Sequence, residues 1–447
     1  MESDNIRWNN VQTAGKEQGF DLNKLQKKMV TWRRDFHRYP EKGWLEMRTA
    51  SRIARILKDL GYEVLTGKAV CEEASRMGLP TKEELEAQYL WAGKNGADPE
   101  YLEEMKDGFT GVIGILHCGR GPVTALRFDM DALGVYEKKE GHRPQECGFA
   151  SCREGVMHAC GHDGHMAMGL GTAEILSGMR SQLSGTIKLI FQPAEEGVRG
   201  AKSIVDKGHL DDVDVLLGIH LMQSEDGTCY VSPGMAGTLA TTKLDVLFQG
   251  KASHAGISPQ EGNNAMLAAA AAVLNLHAIP RHAEGSSRVN VGTLRAGTGR
   301  NVICDRAVLE LETRGETTEI NRYMEAYARR ILQGAAMMHG CEVSCSLAGA
   351  SAAMECSPEL ASDLWEICEQ KLKIPVKKPR DMGGSEDFAY MAERVLQRGG
   401  QVCFNGVHTP CADALHGSGF DFEEQVLAMG VRCLCGVVAQ LSDRIVC

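Results

Sequence analysis

Between Ala240 and Ala350 the chain reads as strand "TTKLDVLFQG", helix "NNAMLAAAAAVLNLHAI", strand "RVNVGTLRAG", strand "AVLELETRG", helix "INRYMEAYARRILQGAAMMHG" and strand "EVSCSLAG". This β-α-β-β-α-β order is the ferredoxin-like arrangement, complete in itself. Upstream the rhythm differs: the apolar runs "GVIGIL", "PVTALRFDMDAL", "GTIKLIFQ" and "VDVLLGIH" alternate with helical stretches such as "HMAMGLGTAEILSGM". Such alternation predicts an α/β layer around a largely parallel sheet with both faces covered. The tail from Ser357 returns to helices and a strand, "QVCFNG". The expectation is a discontinuous α/β domain over 1–238 and 352–447, with an α+β domain over 239–351 inserted into it. A chain of 447 residues exceeds the size at which single cores stop growing, which agrees with two domains.

The N-terminal part has its own punctuation. Leu22 to Leu60 reads as two helices broken at "HRYPEKGW", where Pro40 and Gly43 interrupt the pattern. A short strand follows in "GYEVLTG". The charged stretch over about 67–110 reads as a helical insertion, with Thr81 and Glu84 forming a capping box at the start of an exposed helix.

A formal charge of -10 argues against nucleic acid as a partner, because polyanion binding relies on basic surface. No apolar run has the length of a membrane span, and the polar opening lacks the apolar core of a signal peptide. The expected location is the cytosol. The 16 cysteines form no C-x-x-C pair and in a reducing compartment are expected to be mostly small buried apolar groups.

Polar residues cluster after the predicted strands. Asp129 and Asp131 follow "VTALRF", Glu195 and Glu196 follow "IKLIF", and His220 closes "VLLGI". In open α/β sheets ligands sit at the carboxyl ends of the strands, so these acids and imidazoles should face one edge. The stretch "MHACGHDGH" adds the densest group of metal-seeking atoms. In extended backbone Cys160 and His162 point to one side, with a helix beginning near His165 and Asp163 as its cap.

Cys160, His162, Glu196 and His220 are candidate ligands, and His416 in "ALHGSGFDF" supplies a fifth, which suits two divalent ions better than one. Glu195, adjacent to a ligand, is the candidate base that takes a proton from water and passes it to a leaving amine. Asp131 is a candidate acceptor that orients a ligand imidazole, whereas Asp129 is expected only to shape its turn. Nucleophile-elbow, P-loop and H-E-x-x-H motifs do not occur. Metal-assisted hydrolysis is what these residues leave.

Taken together, "LRFDMDAL", "MHACGHDGH", "FQPAEEG", "GKASHAG", "GSEDFAYM" and "LHGSGFDF" resemble the M20 metallopeptidases, in the amidohydrolase branch that cleaves N-acyl and aryl-amino acids. The resemblance implies a zinc-peptidase-like α/β catalytic domain with an inserted ferredoxin-like lid and dimerisation domain. It also implies two ions, Mn or Zn, with Cys160 bridging, His162 and Glu196 on one ion, and His220 and His416 on the other. Glu195 would be the base, and His254 in "ASHAG" would reach a neighbouring active site to stabilise the oxyanion. Asn301 and Arg314, with Arg300 a weaker candidate, match lid positions that hold substrate in relatives.

The implied substrate is a small amide, with p-aminobenzoyl-glutamate the best match. Indoleacetyl-aspartate or a general N-acyl-amino acid is the nearest alternative, and a non-catalytic subunit of a hetero-oligomer is the alternative of another class. The implied assembly is a homodimer through the lid or a heterodimer with a related B subunit. Cys304 and the "HTPCADALHG" stretch depart from the family pattern and bear on substrate choice.

Overall fold

The computed structural model describes residues 21–443. The polar opening stretch, on which the signal-peptide expectation rests, lies outside the described residues, as does Cys447. Two helices, α1 (Leu22–Arg38) and α2 (Met47–Asp59), precede strand β1 (Glu63–Thr66) and helix α3 (Lys82–Lys94). The capping box forms: the Glu84 amide donates to Thr81 Oγ1 at 3.2 Å and the Thr81 amide to Glu84 Oε2 at 2.8 Å. Helix α3 is tied back to the body by Gln88, whose Nε2 donates to the Leu45 carbonyl at 2.8 Å.

Strands β2 (Val112–His117), β3 (Val123–Asp129), β4 (Thr186–Gln192), β5 (Val215–Gln223), β6 (Tyr230–Pro233) and β11 (Gln401–Thr409) join β1 in a seven-stranded sheet of order β1-β2-β4-β3-β5-β11-β6. Strands β4, β3, β5 and β11 run parallel, whereas β1, β2 and β6 pair antiparallel with their neighbours. The expected largely parallel sheet is therefore parallel only at its centre. The reason lies in the connections. Only residues 118–122 separate β2 from β3 and 224–229 separate β5 from β6, whereas a parallel crossover needs about a dozen residues or more.

Alternate residues of the central strands enter different cores. Leu126, Phe128, Leu189, Phe191, Leu217 and Ile219 pack with α1, α2, α4 (His162–Gly178) and α10 (Val426–Asp443). Ala125, Ile190 and Leu216 pack on the other face with α5 (Ala201–Asp206) and α9 (Phe388–Gln397). This period of two over a sheet covered on both sides explains why the strands read as continuous apolar runs.

The unit between them holds β7 (Ala240–Gln249), α6 (Ala265–His277), β8 (Ser287–Ala296), β9 (Arg306–Gly315), α7 (Thr318–Met338) and β10 (Glu342–Ser351). Its four antiparallel strands are ordered β10-β7-β9-β8, and both helices pack on one face around Phe248, Leu309, Met324 and Leu332. Helix α8 (Pro358–Glu366) returns the chain to the larger sheet. The fold is an α/β body with an inserted ferredoxin-like α+β unit.

Not every cysteine behaves as an apolar core group. Seven of the 15 described cysteines are buried, and Cys147 and Cys152 are exposed. Among the described residues, no helix is long and apolar enough to cross a membrane.

Helix α4 carries the "MHACGHDGH" stretch onto the sheet, and its glycines set how closely it approaches. A Cβ on Gly169 would lie 2.8 Å from the Phe191 ring and 2.9 Å from Phe128. Gly169→Ala is expected to destabilise the protein by about 1–3 kcal/mol through overpacking, outweighing the gain of about 1 kcal/mol in helix propensity. A lower denaturant midpoint than wild type checks this.

Candidate metal centre

The three histidines of the 157–165 stretch have separate fates. Gly161 adopts φ 88°, a left-handed conformation suited to glycine, and caps helix α4, which begins at His162. The expected extended geometry across Cys160 and His162, with helix onset near His165, is thus replaced by a sharp turn. Asp163 lies inside the first helical turn and is no cap; its carboxylate accepts from Arg33 Nε at 2.9 Å and faces His37 Nδ1 at 2.8 Å.

His165 Nε2 accepts the Leu221 amide at 2.7 Å and its Nδ1 meets Asp129 Oδ1 at 2.5 Å. Both ring nitrogens are occupied, so His165 braces β5 against the end of β3 and has no lone pair to offer. His158 is buried, its Nε2 has no partner, and burial pushes its pKa down to about 3.

His162 and His220 are arranged differently. Each turns Nδ1 to a backbone carbonyl, His162 to Asp131 at 2.8 Å and His220 to Leu221 at 2.7 Å. A carbonyl only accepts, so each Nδ1 carries a proton and Nε2 is the atom left to meet a metal, the orientation that metal-bound imidazoles use. His220 Nε2 lies 3.6 Å from Cys160 Sγ, and His162 Nε2 is buried without a partner.

Glu195 and Glu196 ride on a turn held in an unusual conformation. Ala194, Gly197 and Val198 all have positive φ, 52°, 89° and 59°. For a β-branched residue such as Val198 this is a genuine outlier, and backbone strain of this kind concentrates at functional sites. The turn is bonded on all sides. Glu46 Oε1 accepts the Ala194 amide at 2.8 Å, and the two oxygens of Asp131 accept the Glu195 and Glu196 amides, each at 2.9 Å. Arg199 Nε donates to the Glu196 carbonyl and Arg199 Nη1 to the Gly78 carbonyl of the 67–110 segment, both at 2.9 Å. The Ala350 amide of β10 donates to the Val198 carbonyl at 2.9 Å.

His416 comes from the tail, also with a left-handed backbone, φ 67°, and its amide donates to the Ala159 carbonyl at 2.7 Å. Its Nε2 lies 3.5 Å from Glu196 Oε1. The five residues read from the sequence as ligands thus converge. Ligand atoms of Cys160, His162 and His220 lie within 4.8 Å of one another, as do those of Cys160, Glu196 and His416. Cys160 is common to both groups, and His162 Nε2 also lies 4.0 Å from Glu196 Oε1, so the five side chains form one continuous cluster.

A thiol, three imidazoles and a carboxylate, with His162 Nε2 and Glu196 Oε1 buried and making no hydrogen bond, fit divalent ions that accept nitrogen, sulfur and oxygen. The electrostatics agree. Burial, with Glu196 adding to it, pushes the Cys160 thiol well above its ordinary range. Burial raises Glu196 to about 7, although His162 opposes this. Burial, Glu386, Glu196 and Asp387 together hold Glu195 well above the usual carboxylate range.

Asp129 does more than shape a turn. It accepts from Arg127 Nη1 at 2.6 Å as well as facing His165, and its Oδ2 is 3.7 Å from His162 Nε2. Arg127, fully buried, extends to Glu386 at 2.8 Å and Asp387 at 3.3 Å, and a carboxylate oxygen of Glu386 groups with Asp129 and His220. Glu386 and Asp387 are buried acids beside the site that sequence reasoning did not single out. Two adjacent acids before an apolar helix, in "GSEDFAYM", were the available signal.

The remaining candidates lie on the inserted unit. His254 is exposed, bridges to Val302, and its Nδ1 accepts the Gly256 and Ile257 amides at 3.1 Å, leaving the proton on Nε2. Arg300 and Asn301 are exposed. Arg314 is engaged with Glu312 through contacts of 2.9 and 3.2 Å.

Asp131→Asn leaves one acceptor oxygen for two amides and turns an NH2 toward the other. The expected result is a loss of about 10–100-fold in metal affinity, the range for groups that orient ligands, greatest for the ion beside Glu196. Metal titration of the variant checks it.

Comparison with known proteins agrees with this geometry. The profile of "Peptidase family M20/M25/M40" matches residues 125–440. The chain is 46% identical over 417 residues to the A subunit of p-aminobenzoyl-glutamate hydrolase from Escherichia coli, covering 92% of this chain and 95% of the relative. It is 45% identical over 420 residues to indole-3-acetyl-aspartic acid hydrolase of Enterobacter agglomerans, covering 92% and 95%. Among solved structures, the aminobenzoyl-glutamate utilization protein from Klebsiella pneumoniae superposes with a TM-score of 0.82 at 40% identity, covering 94% of this chain and 97% of that one. A profile match across most of the chain, joined to near-complete coverage at this identity, places the chain in peptidase family M20/M25/M40.

Proposed function

We propose that this metal-dependent amidohydrolase cleaves the amide bond of p-aminobenzoyl-glutamate, yielding p-aminobenzoate and glutamate, as a cytosolic enzyme. The observation that carries the reading is the convergence of Cys160, His162, Glu196, His220 and His416 around one buried thiol beside the raised carboxyl of Glu195. Cys160, His162, Glu196, His220 and His416 would together hold two divalent ions. Bound there, Mn²⁺ or Zn²⁺ supplies Lewis acidity and brings the pKa of water toward neutrality.

The chain's own groups do the rest. Glu195, held away from its ordinary pKa by its buried acidic neighbours, takes the proton of the attacking water and returns it to the departing arylamine nitrogen. Asp131 keeps Glu195 and Glu196 in register through their amides. His254, with its free Nε2–H, is suited to donate to the carbonyl oxygen as negative charge develops there. Its exposure on the inserted unit fits service to a neighbouring centre. Arg314, Asn301 and Arg300 are the groups proposed to take the glutamate carboxylates, Arg314 exchanging Glu312 for substrate.

The proposed assembly is a homodimer through the inserted unit, or a heterodimer in which a related B subunit takes the same face. Its support is the exposed apolar stripe of α6, with Leu267 and Leu274 52% and 74% exposed, beside the edge strand β8. An exposed stripe of this kind marks a contact face. Indoleacetyl-aspartate is the second substrate reading, favoured by the 45% identity to a hydrolase of that name.

Glu195→Gln is expected to lower kcat on p-aminobenzoyl-glutamate by about 10²–10⁴-fold while retaining both ions. Equal turnover by variant and wild type would remove Glu195 from the mechanism. A panel pairing p-aminobenzoyl, indoleacetyl and acetyl groups with glutamate or aspartate should rank p-aminobenzoyl-glutamate first in kcat/KM. Activity appearing only after a B subunit is added would assign this chain a dependent role. Leu274→Glu is expected to shift the protein toward monomer in light scattering.

A further inference from the structure

We propose that His37, Glu137 and His142 form a third divalent-cation site, separate from the centre around Cys160. His37 belongs to α1, whereas Glu137 and His142 lie on the segment between β3 and α4. The three side chains are 0%, 6% and 2% exposed. Glu137 Oε1 is 3.0 Å from His37 Nε2 and 3.1 Å from His142 Nε2, and the three ligand atoms lie within 4.8 Å of one another. Two imidazoles and a carboxylate, with a fourth position left for water, are a donor set that Zn²⁺ accepts.

The arrangement around His37 carries the inference. Its Nδ1 faces Asp163 Oδ2 at 2.8 Å while its Nε2 faces Glu137. A neutral imidazole has one proton and cannot donate to two carboxylates. The two contacts therefore need one more proton, on the ring or on a carboxyl, or a cation between Nε2 and Glu137. With a cation there, Nδ1–H donates to Asp163, the carboxylate–histidine–metal relation that fixes a ligand imidazole.

His142 turns its own Nε2 to the same Glu137 oxygen at 3.1 Å, which brings a second imidazole to the place a cation would take. The other oxygen of Glu137 accepts the Ser151 amide at 2.6 Å, so the carboxylate is already oriented. Nearby positive charge is matched: Arg33 is paired with Asp163, Asp421 and Glu424, and Arg143 with Asp421. An added cation meets no unpaired guanidinium among these. It would clamp the 134–150 segment to α1, and through Asp163 to the residue beside His162.

The ligand chemistry separates this site from the first one. It has no sulfur, whereas the groups Cys160–His162–His220 and Cys160–Glu196–His416 at the first centre share a thiol. Metal-free protein titrated with Co²⁺ should take up one more equivalent in wild type than in His142→Gln. That equivalent should bring visible d–d absorption without the sulfur-to-cobalt charge-transfer band of a thiolate site. Glu137→Gln, which keeps shape and volume, should lose the same equivalent and guards against a folding defect in the first variant. Equal uptake by wild type and both variants, or a charge-transfer band accompanying the extra equivalent, overturns the proposal. Because the readout is a difference between proteins, it is independent of whether the first centre performs the proposed reaction.

Discussion

The geometry of the centre depends on Asp131. Its two carboxylate oxygens accept consecutive amides, those of Glu195 and Glu196, and its carbonyl takes the Nδ1 proton of His162. One residue at the end of a strand thereby fixes the candidate base, a carboxylate ligand and an imidazole ligand relative to one another. Such fixing is needed because the turn is strained at Ala194 and Val198, and each residue in a sparsely populated conformation costs about 1–3 kcal/mol. The bonds from Glu46, Arg199 and Ala350 hold what Asp131 alone could not.

Around that turn the buried charge is mostly negative. Asp129, Glu386 and Asp387 crowd one fully buried cation, Arg127. Burial, only partly offset by Arg127, raises Asp387 to about 7. Burial with acidic neighbours likewise raises Glu195. In a low-dielectric interior an uncompensated carboxylate keeps its proton, so this cluster has capacity for further positive charge. Arg127 also shows how distant segments are joined: it connects the end of β3 to acids at the start of α9, while Gln192 on the adjacent strand accepts from its Nε at 2.8 Å.

Much of this was readable in the sequence where the signal is local or periodic. The β-α-β-β-α-β order, the Thr81 capping box and the apolar central strands follow from patterns a few residues long. Glu196 and His220 were readable because they follow apolar runs, Cys160 and His162 because metal-seeking side chains crowd one short stretch, and His416 because two ions call for a fifth ligand. What was hidden depends on tertiary contact. The antiparallel direction of β2 and β6 follows from connection length and sheet neighbours, which the apolar runs themselves do not encode. The turn at Gly161 replaces an extended segment because helix α4 must start against Leu221, where a Cβ would come within 3.1 Å. His165 looks like His162 in sequence and differs only in that Asp129 and Leu221 occupy both its nitrogens.

His416 belongs to the segment that follows the inserted unit, whereas its companions Cys160 and Glu196 precede it. During synthesis Cys160, His162, Glu196 and His220 all emerge before the insertion, and the cluster stays one donor short until the chain beyond it has emerged and crossed back to Ala159. An ion held by Cys160, Glu196 and His416 would therefore report that the whole topology has closed, and would link the two halves of the body across the insertion without any covalent bond.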